Sequence, residues 1–175
     1  DSVDAHFTKT WLDHIKSTLG QRVPDYLIVQ HMEPDHSGSI LAFMNAYPTA
    51  KIVASSRAFL MLKNFFGTDF TDNRMVIKEG DTLSLGNHTL AFVAAPMVHW
   101  PEVMVTYDST DKVLFSADAF GKFGAVGKTN TKENEWIEEA RRYYFGIVGK
   151  YGIPVQKLLA KLKDINVEKI CPLHG

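Results

Sequence analysis

The sequence is poor in the features that mark several common classes of protein. A single cysteine, Cys171, among 175 residues excludes an internal disulfide framework and a zinc finger built on cysteines. No apolar run reaches the ~20 residues that a membrane helix needs, and the first residues, DSVDAH, lack the pattern of a signal peptide. The charges nearly balance, with 19 Lys and Arg against 20 Asp and Glu. We therefore expect a cytoplasmic protein that binds neither membrane nor nucleic acid.

The composition predicts a folded domain with a substantial core. Hydrophobic residues make up 45% of the chain and charged residues 22%, which is typical of globular proteins. The length of 175 residues lies within the roughly 100–200 expected of one domain. Because the sequence begins without methionine and ends directly after a predicted strand, we expect residues 1–175 to be one domain cut from a longer chain.

Helical and strand periods alternate along the chain, which predicts a mixed α/β (α+β) fold. The turn Gly86-Asn87 and the segment 108–111 each predict a hairpin, so a purely parallel sheet is excluded. We expect the three strands between residues 74 and 94 to lie together. Predicted helices cover 7–19, 39–47, 56–66, a segment that starts near residue 131 after Asn130, and a segment after Pro154. Predicted strands cover 26–30, 51–54, 74–78, 82–85, 88–94, 103–107, 113–116 and 169–172.

Potential metal ligands are concentrated directly after the strand predicted at 26–30. His31, Glu33, Asp35 and His36 stand within six positions. Pro34 and Gly38 favour a loop here and disfavour a helix. Such a crowd of polar groups at a strand end is costly unless the groups share a partner. The segment is therefore a candidate metal site.

Three further candidates each follow a predicted strand: His99, Asp118 and His174. Strand ends on one edge of a sheet can gather a site from distant parts of a chain. Taken singly, each would more often be an ordinary packed residue. The other histidines, His6, His14 and His88, are interpreted as surface or hydrogen-bonded residues.

The segment Gly121–Thr129 resembles a phosphate-binding loop without matching it. It ends in Gly-Lys-Thr, but five residues separate Gly121 from Gly127, whereas the motif has four. We interpret it as a flexible glycine-rich flap beside Asp118.

The complete ligand pattern resembles the diiron site of the flavodiiron proteins, also called A-type flavoproteins. The pattern is His-x-Glu-x-Asp-His, then 62 residues to His99, 18 to Asp118 and 55 to His174. The stretches HMEPDHSGS, VHWPEVM and FSADAFGKFG are also similar to that family. The resemblance implies a metallo-β-lactamase-like αββα sandwich, here without its first strands. It also implies an FMN-binding, flavodoxin-like domain after residue 175, which this chain does not contain.

By this resemblance, all seven ligand positions of the family are filled. Asp118 would bridge two iron ions, together with a hydroxide or oxide. The residue equivalent to His36 does not bind iron in every member of the family. One iron would be held by His31, Glu33 and His99, and the other by Asp35, His36 and His174.

The chemistry of the donor set supports iron independently. Four imidazoles and three carboxylates without a thiolate suit non-haem iron. Two ferrous ions carry four positive charges, and three carboxylates carry three negative charges. The one positive charge that is left can be neutralised by a bridging hydroxide. Zinc hydrolases of the same fold resemble His-x-His-x-Asp-His, with histidine in place of Glu33.

The resemblance implies an oxidoreductase that reduces O2 to water, NO to nitrous oxide, or both. Electrons would come from FMN on another domain, supplied by rubredoxin or another reductase. In the family, FMN reaches the diiron site across a head-to-tail homodimer. Two alternatives stay open: a binuclear zinc hydrolase of the same fold, and a sensor that binds O2 or NO without turning it over.

Overall fold

The computed structural model describes residues 1–125 and 133–175, and it divides into two compact units, Asp1–Ile77 and Lys78–Gly175. The helix start predicted near residue 131, and the part of the predicted flap from residue 126 onward, lie outside the described residues. No helix among the described residues is long and apolar enough to cross a membrane.

The first unit is built around a small parallel sheet flanked by helices. Strand β1 pairs with β2 and β2 pairs with β3, all in parallel register. A 3₁₀ turn over Ala5–Phe7 precedes the first helix. The elements of this unit are α1 (Thr8–Leu19), β1 (Tyr26–Val29), α2 (Pro34–Ser37), α3 (Ile40–Ala46), β2 (Lys51–Ser55), α4 (Ser56–Phe66) and β3 (Arg74–Ile77).

Local sequence signals fix the ends of these helices. Gly20 ends α1 with a φ of 64°, a conformation that glycine adopts without the steric cost of a Cβ. The side chain of Ser55 accepts a hydrogen bond from the Ala58 amide and so caps α4. The core beneath the sheet includes Ile40, Ile52 and Leu62, each fully buried. The predicted helices and strands of this unit are confirmed, apart from the segment at α2.

The second unit contains a five-stranded sheet in the order β4-β5-β6-β7-β8. Neighbouring strands in this sheet are antiparallel, except that β7 and β8 are parallel. Both predicted hairpins are confirmed. The elements are β4 (Thr82–Ser84), β5 (Thr89–Ala94), β6 (Met104–Asp108), β7 (Val113–Phe115), α5 (Glu133–Tyr143), α6 (Gly152–Leu162) and β8 (Lys169–Cys171).

Two expectations about these elements are corrected. The strand β3 pairs with β2 in the parallel sheet, and not with the β4–β5 hairpin that follows it. The final helix begins at Gly152, so that Pro154 lies inside its first turn, where the missing amide hydrogen costs nothing. A π-helical turn (Tyr144–Val148) and a 3₁₀ turn (Gly149–Tyr151) join α5 to α6.

Candidate metal centre

In the first unit, the chain between His31 and Ser37 forms a short helical turn directly after β1. The expectation of a loop over this whole segment is wrong, because Pro34–Ser37 is a one-turn helix. Pro34 occupies the first helical turn, where the fixed φ of proline favours the helix and no amide hydrogen is needed. His31 and Glu33 precede the turn, while Asp35 and His36 lie on it. Two candidate ligands therefore lie just before this short helix and two lie within it.

The four candidate ligands of this unit form two close pairs, and the two histidine rings are neighbours. The Nε2 atom of His31 lies 3.3 Å from a carboxylate oxygen of Glu33. The Nε2 atom of His36 lies 3.3 Å from a carboxylate oxygen of Asp35. The two imidazole rings are 5.7 Å apart between centroids. Both histidines are buried and both carboxylates are half-buried, so the cluster is recessed from solvent.

Asp1, which the sequence did not single out, holds the start of this segment. Its Oδ1 atom accepts hydrogen bonds from the backbone amides of Gln30, at 2.8 Å, and His31, at 2.9 Å. Its other oxygen accepts a bond of 3.2 Å from the Gln30 side chain. Further along, the hydroxyl of Ser37 donates to the Met32 carbonyl at 2.9 Å. Nothing in the sequence pattern distinguishes Asp1 from a surface aspartate, because its partners are backbone groups far along the chain.

In the second unit, Asp118 lies between two histidines. Its Oδ2 atom is 3.0 Å from Nε2 of His99, and its Oδ1 atom is 3.6 Å from Nε2 of His174. Asp118 and His99 are buried, while His174 is half-buried. Each carboxylate oxygen thus faces a different imidazole. A carboxylate placed in this way can serve two metal ions, one through each oxygen.

Hydrogen bonds hold the two segments that carry Asp118 and His174. The hydroxyl of Ser116 donates to the Ala119 carbonyl at 2.7 Å, which closes a turn around Asp118. The Leu173 amide donates to the Ala117 carbonyl at 2.9 Å and ties the His174 segment to that turn. Ala117 itself has a φ of 53°, in the left-handed region that non-glycine residues seldom occupy. Such conformations persist where the surrounding structure enforces them, often at functional sites.

The end of β5, which leads to His99, is anchored by an ion pair. Lys161 on α6 lies 2.9 Å from a carboxylate oxygen of Glu79 and also donates to the Ala94 carbonyl at 2.8 Å. The same Glu79 oxygen accepts from the Ala94 amide at 2.7 Å. Both backbone groups of Ala94 are thereby satisfied at the end of the strand. The starting point of the His99 loop is fixed by the same contacts.

The remaining histidines have the roles expected of them. His6 and His14 are exposed on the first unit. His88 bonds through Nδ1 to a carboxylate oxygen of Asp108 at 2.7 Å, near the partly exposed end of the β4–β5 hairpin. This contact raises the pKa of His88, because its hydrogen bond to Asp108 and the charge of that carboxylate favour the protonated ring.

Comparisons with known proteins identify the family. The family model described as ODP family beta lactamase matches residues 2–175. The chain is 33% identical over its full length to a nitric oxide reductase of Moorella thermoacetica and 33% identical to an anaerobic nitric oxide reductase flavorubredoxin of Salmonella arizonae. It covers 45% and 38% of those proteins. The rubredoxin oxygen:oxidoreductase of Desulfovibrio gigas superimposes on the whole chain with a TM-score of 0.92 and 34% identity, and the chain covers 45% of that structure.

A second structure agrees: the flavodiiron protein of Giardia intestinalis matches the whole chain with a TM-score of 0.91 and 27% identity. The chain spans less than half the length of each of these relatives. With a match from residue 2 to residue 175, the predicted fold class is confirmed. This chain belongs to the flavodiiron family, with the metallo-β-lactamase-like fold of its diiron domain.

Proposed function

We propose that this chain is the metal-binding part of an oxidoreductase that reduces O2 to water, NO to nitrous oxide, or both, at a non-haem diiron centre. Membership of the flavodiiron family supports the reaction class. The observation that carries the proposal is the position of Asp118, whose two oxygens each face a different histidine. A bridging carboxylate is what a dinuclear centre needs and a mononuclear one does not.

The residues fit iron by their chemistry. The seven proposed ligands supply imidazole nitrogens and carboxylate oxygens without a thiolate, which suits non-haem iron. On the ligand pattern of the family, His31, Glu33 and His99 would hold one iron. Asp35, His36 and His174 would hold the other, and Asp118 would be shared by both. Within each unit, the proposed ligands already lie close to one another, as the contacts of 3.0 Å and 3.6 Å show for Asp118.

Bound in this way, the two irons would supply electrons to the gas and accept replacements from a flavin. The chain itself contributes position and shielding. His31, His36, His99 and Asp118 are all buried, so their orientations are fixed by packing rather than by solvent. Backbone hydrogen bonds from Asp1 and within the Ser116–Ala119 turn hold the segments on which they stand. A pre-organised donor set of this kind loses little energy in reorganisation when it binds metal.

The source of electrons is proposed to lie outside this chain. By the same family relation, FMN on a flavodoxin-like domain would deliver them, fed by rubredoxin or another reductase. A head-to-tail homodimer would bring that flavin to the diiron centre, and the protein would work in the cytoplasm. The Desulfovibrio gigas relative is named for both rubredoxin and oxygen, which supports this type of donor and substrate.

The experiment is a metal count followed by a gas assay. The protein is produced with iron supplied and purified without oxygen, and iron and zinc are counted per chain. We expect about two irons, and consumption of O2 or NO from reduced FMN that is faster than with the metal-free protein, because reduced FMN also reacts slowly with O2 alone. Two zincs that resist replacement by iron, together with hydrolysis of an ester or lactam, would overturn the proposal in favour of a hydrolase. Two irons that bind gas without turnover would favour a sensor.

A further inference from the structure

The second unit contains an apolar cavity of about 400 Å³ between α5, the turns that follow it, and α6. Its walls are almost wholly aliphatic or aromatic. The one charged side chain among the described lining residues is Arg141, which forms an ion pair with Glu138 at 3.0 Å. A polar substrate would find few groups here to replace its hydration. The lining therefore favours a small, uncharged ligand of low polarity.

The walls run from the protein surface into the core. Trp136 and Phe145 are exposed, at 48% and 77% of their surface. Val98, Tyr143 and Leu158 are buried, at 1–3%. The cavity therefore opens to solvent and also reaches buried side chains of the core.

Three of the buried lining residues are neighbours of the proposed metal ligands of this unit. Val98 directly precedes His99, and Ala119 directly follows Asp118. The ring of Tyr143 lies 5.6 Å from the ring of His174, measured between centroids. Every one of these ligands thus has a cavity-lining residue as its chain neighbour or its ring neighbour. The buried part of the cavity is therefore lined by residues next to the proposed metal ligands.

We propose that this cavity is the passage through which the gas substrate reaches the metal centre, an inference that rests on the proposed function. O2 and NO are small and nearly apolar, and they partition from water into apolar space. Enclosed apolar cavities in proteins bind xenon, a gas atom that, like O2 and NO, is small and apolar. The passage concentrates the gas beside His99 and Asp118 while it excludes water and hydrated ions.

The first test is xenon binding to the iron-loaded protein, observed in pressurised crystals. Xenon is expected between α5 and α6, beside Val98 and Ala119. The variant Ala140→Phe fills the cavity from α5 and should lose that xenon. Its control, Ala160→Phe, places the same ring on the exposed face of α6 and should keep it. Absence of xenon from this cavity in the unmodified protein would overturn the inference, whatever the activity.

The second test is the rate at which NO binds to the prereduced, iron-loaded protein, followed by stopped-flow absorbance without turnover. Ala140→Phe should slow NO binding several-fold, and in a separate turnover assay it should raise the KM for gas at unchanged kcat. A second variant, Leu159→Trp, narrows the partly exposed mouth and should act in the same direction without disturbing the buried core. The control Ala160→Phe should leave both the NO binding rate and the KM for gas unchanged.

These outcomes separate the two proposals. Unchanged NO binding in both Ala140→Phe and Leu159→Trp would overturn the passage while the gas-reductase activity stands. If the unmodified, iron-loaded protein reduces neither gas, the proposed function fails, and the passage falls with it even if xenon binds.

Discussion

The carboxylate of Asp1 accepts a hydrogen bond of 2.9 Å from the backbone amide of His31. The same oxygen also accepts a hydrogen bond from the backbone amide of Gln30. Two consecutive backbone amides, at the start of the ligand segment, are therefore bonded to Asp1. Asp1 is thus joined through the backbone to a proposed metal ligand that lies thirty positions away.

Asp1→Ala should weaken metal binding, because the two amides lose their acceptor and His31 is no longer held in place. Groups that orient ligands typically contribute about 10–100-fold to metal affinity. Asp1→Asn keeps one acceptor oxygen and should lose less. Metal affinity is measured by titration against a competing chelator. Asp13→Ala, at an exposed position on α1, is the control, and equal affinity in Asp1→Ala and Asp13→Ala would contradict the role given to Asp1.

Gly38 follows the helical turn α2 at a point where two backbone segments meet closely. A Cβ there would lie 2.7 Å from the Ala5 nitrogen and 2.8 Å from the Pro34 oxygen. Gly38→Ala should therefore destabilise the fold by about 1–3 kcal/mol, the usual cost of overpacking. The free energy of unfolding is measured with denaturant. Gly146→Ala, where a Cβ meets nothing within 4 Å, is the matched control. Equal stability of the two variants would show that the chain can shift to make room.

Asp118→Ala should release both metal ions together, since one carboxylate serves two ions in the proposed centre. Metal per chain is counted before and after dialysis against a chelator. Asp111→Ala, an exposed aspartate of the same unit, should keep the full complement. Retention of two metals by Asp118→Ala would disprove the bridge, and retention of one would assign Asp118 to a single ion.

Glu33→His converts the segment to the pattern of the zinc hydrolases. The change removes an oxygen donor and one negative charge, so metal preference should shift from iron towards zinc and gas reduction should be lost. Glu33→Asp, which keeps the carboxylate, should retain more iron. Both variants are compared by metal count and by gas consumption. Undiminished O2 reduction in Glu33→His would show that Glu33 does not set the preference for iron.

The pair His88 and Asp108 should make stability depend on pH. Its hydrogen bond to Asp108 and the charge of that carboxylate raise the pKa of His88 above its ordinary 6.5. Burial alone would raise the pKa of Asp108. The amide of Thr110, the ring of His88 and the amide of Asp111 outweigh burial and hold that pKa below its ordinary 3.8. The histidine contribution is fully present below pH 6.5 and is lost as pH rises through the raised pKa. The aspartate contribution is present above pH 3.8 and is lost as pH falls through the lowered pKa.

His88→Ala should therefore cost more stability at about pH 5.5 than at about pH 9. The comparison uses denaturant unfolding of the unmodified protein and of the variant at both pH values. His14→Ala, an exposed histidine on α1, should give a difference that does not change with pH. A cost of His88→Ala that is the same at both pH values would show that the ion pair does not contribute.

The sequence predicts those features whose causes are local. The end of α1 at residue 19, the start of α4 at residue 56 and the hairpin turn at Gly86-Asn87 each depend on a few neighbouring residues, and all three predictions are confirmed. The metal ligands are also predictable as candidates, because their spacing matches a family pattern.

Features with distant causes are not predictable in this way. The sequence of β3 is compatible with pairing to β2 or to the hairpin that follows it. The pattern of apolar residues predicts a strand but does not determine which strand lies next to it. The function of Asp1 depends on two backbone amides that no side-chain pattern marks. The short helix at Pro34 differs from the predicted loop because proline excludes only the interior of a helix and is tolerated in its first turn.

The parallel pairing of β8 with β7 has a consequence for the order of events during synthesis. His174 follows β8, and its position beside Asp118 depends on that strand joining the sheet. His99 and Asp118 leave the ribosome long before His174 does. Six of the seven proposed ligands therefore leave the ribosome before His174, the last of them. In the proposed centre, metal that binds early would meet an incomplete set of donors, and the arrival of β8 would complete that set.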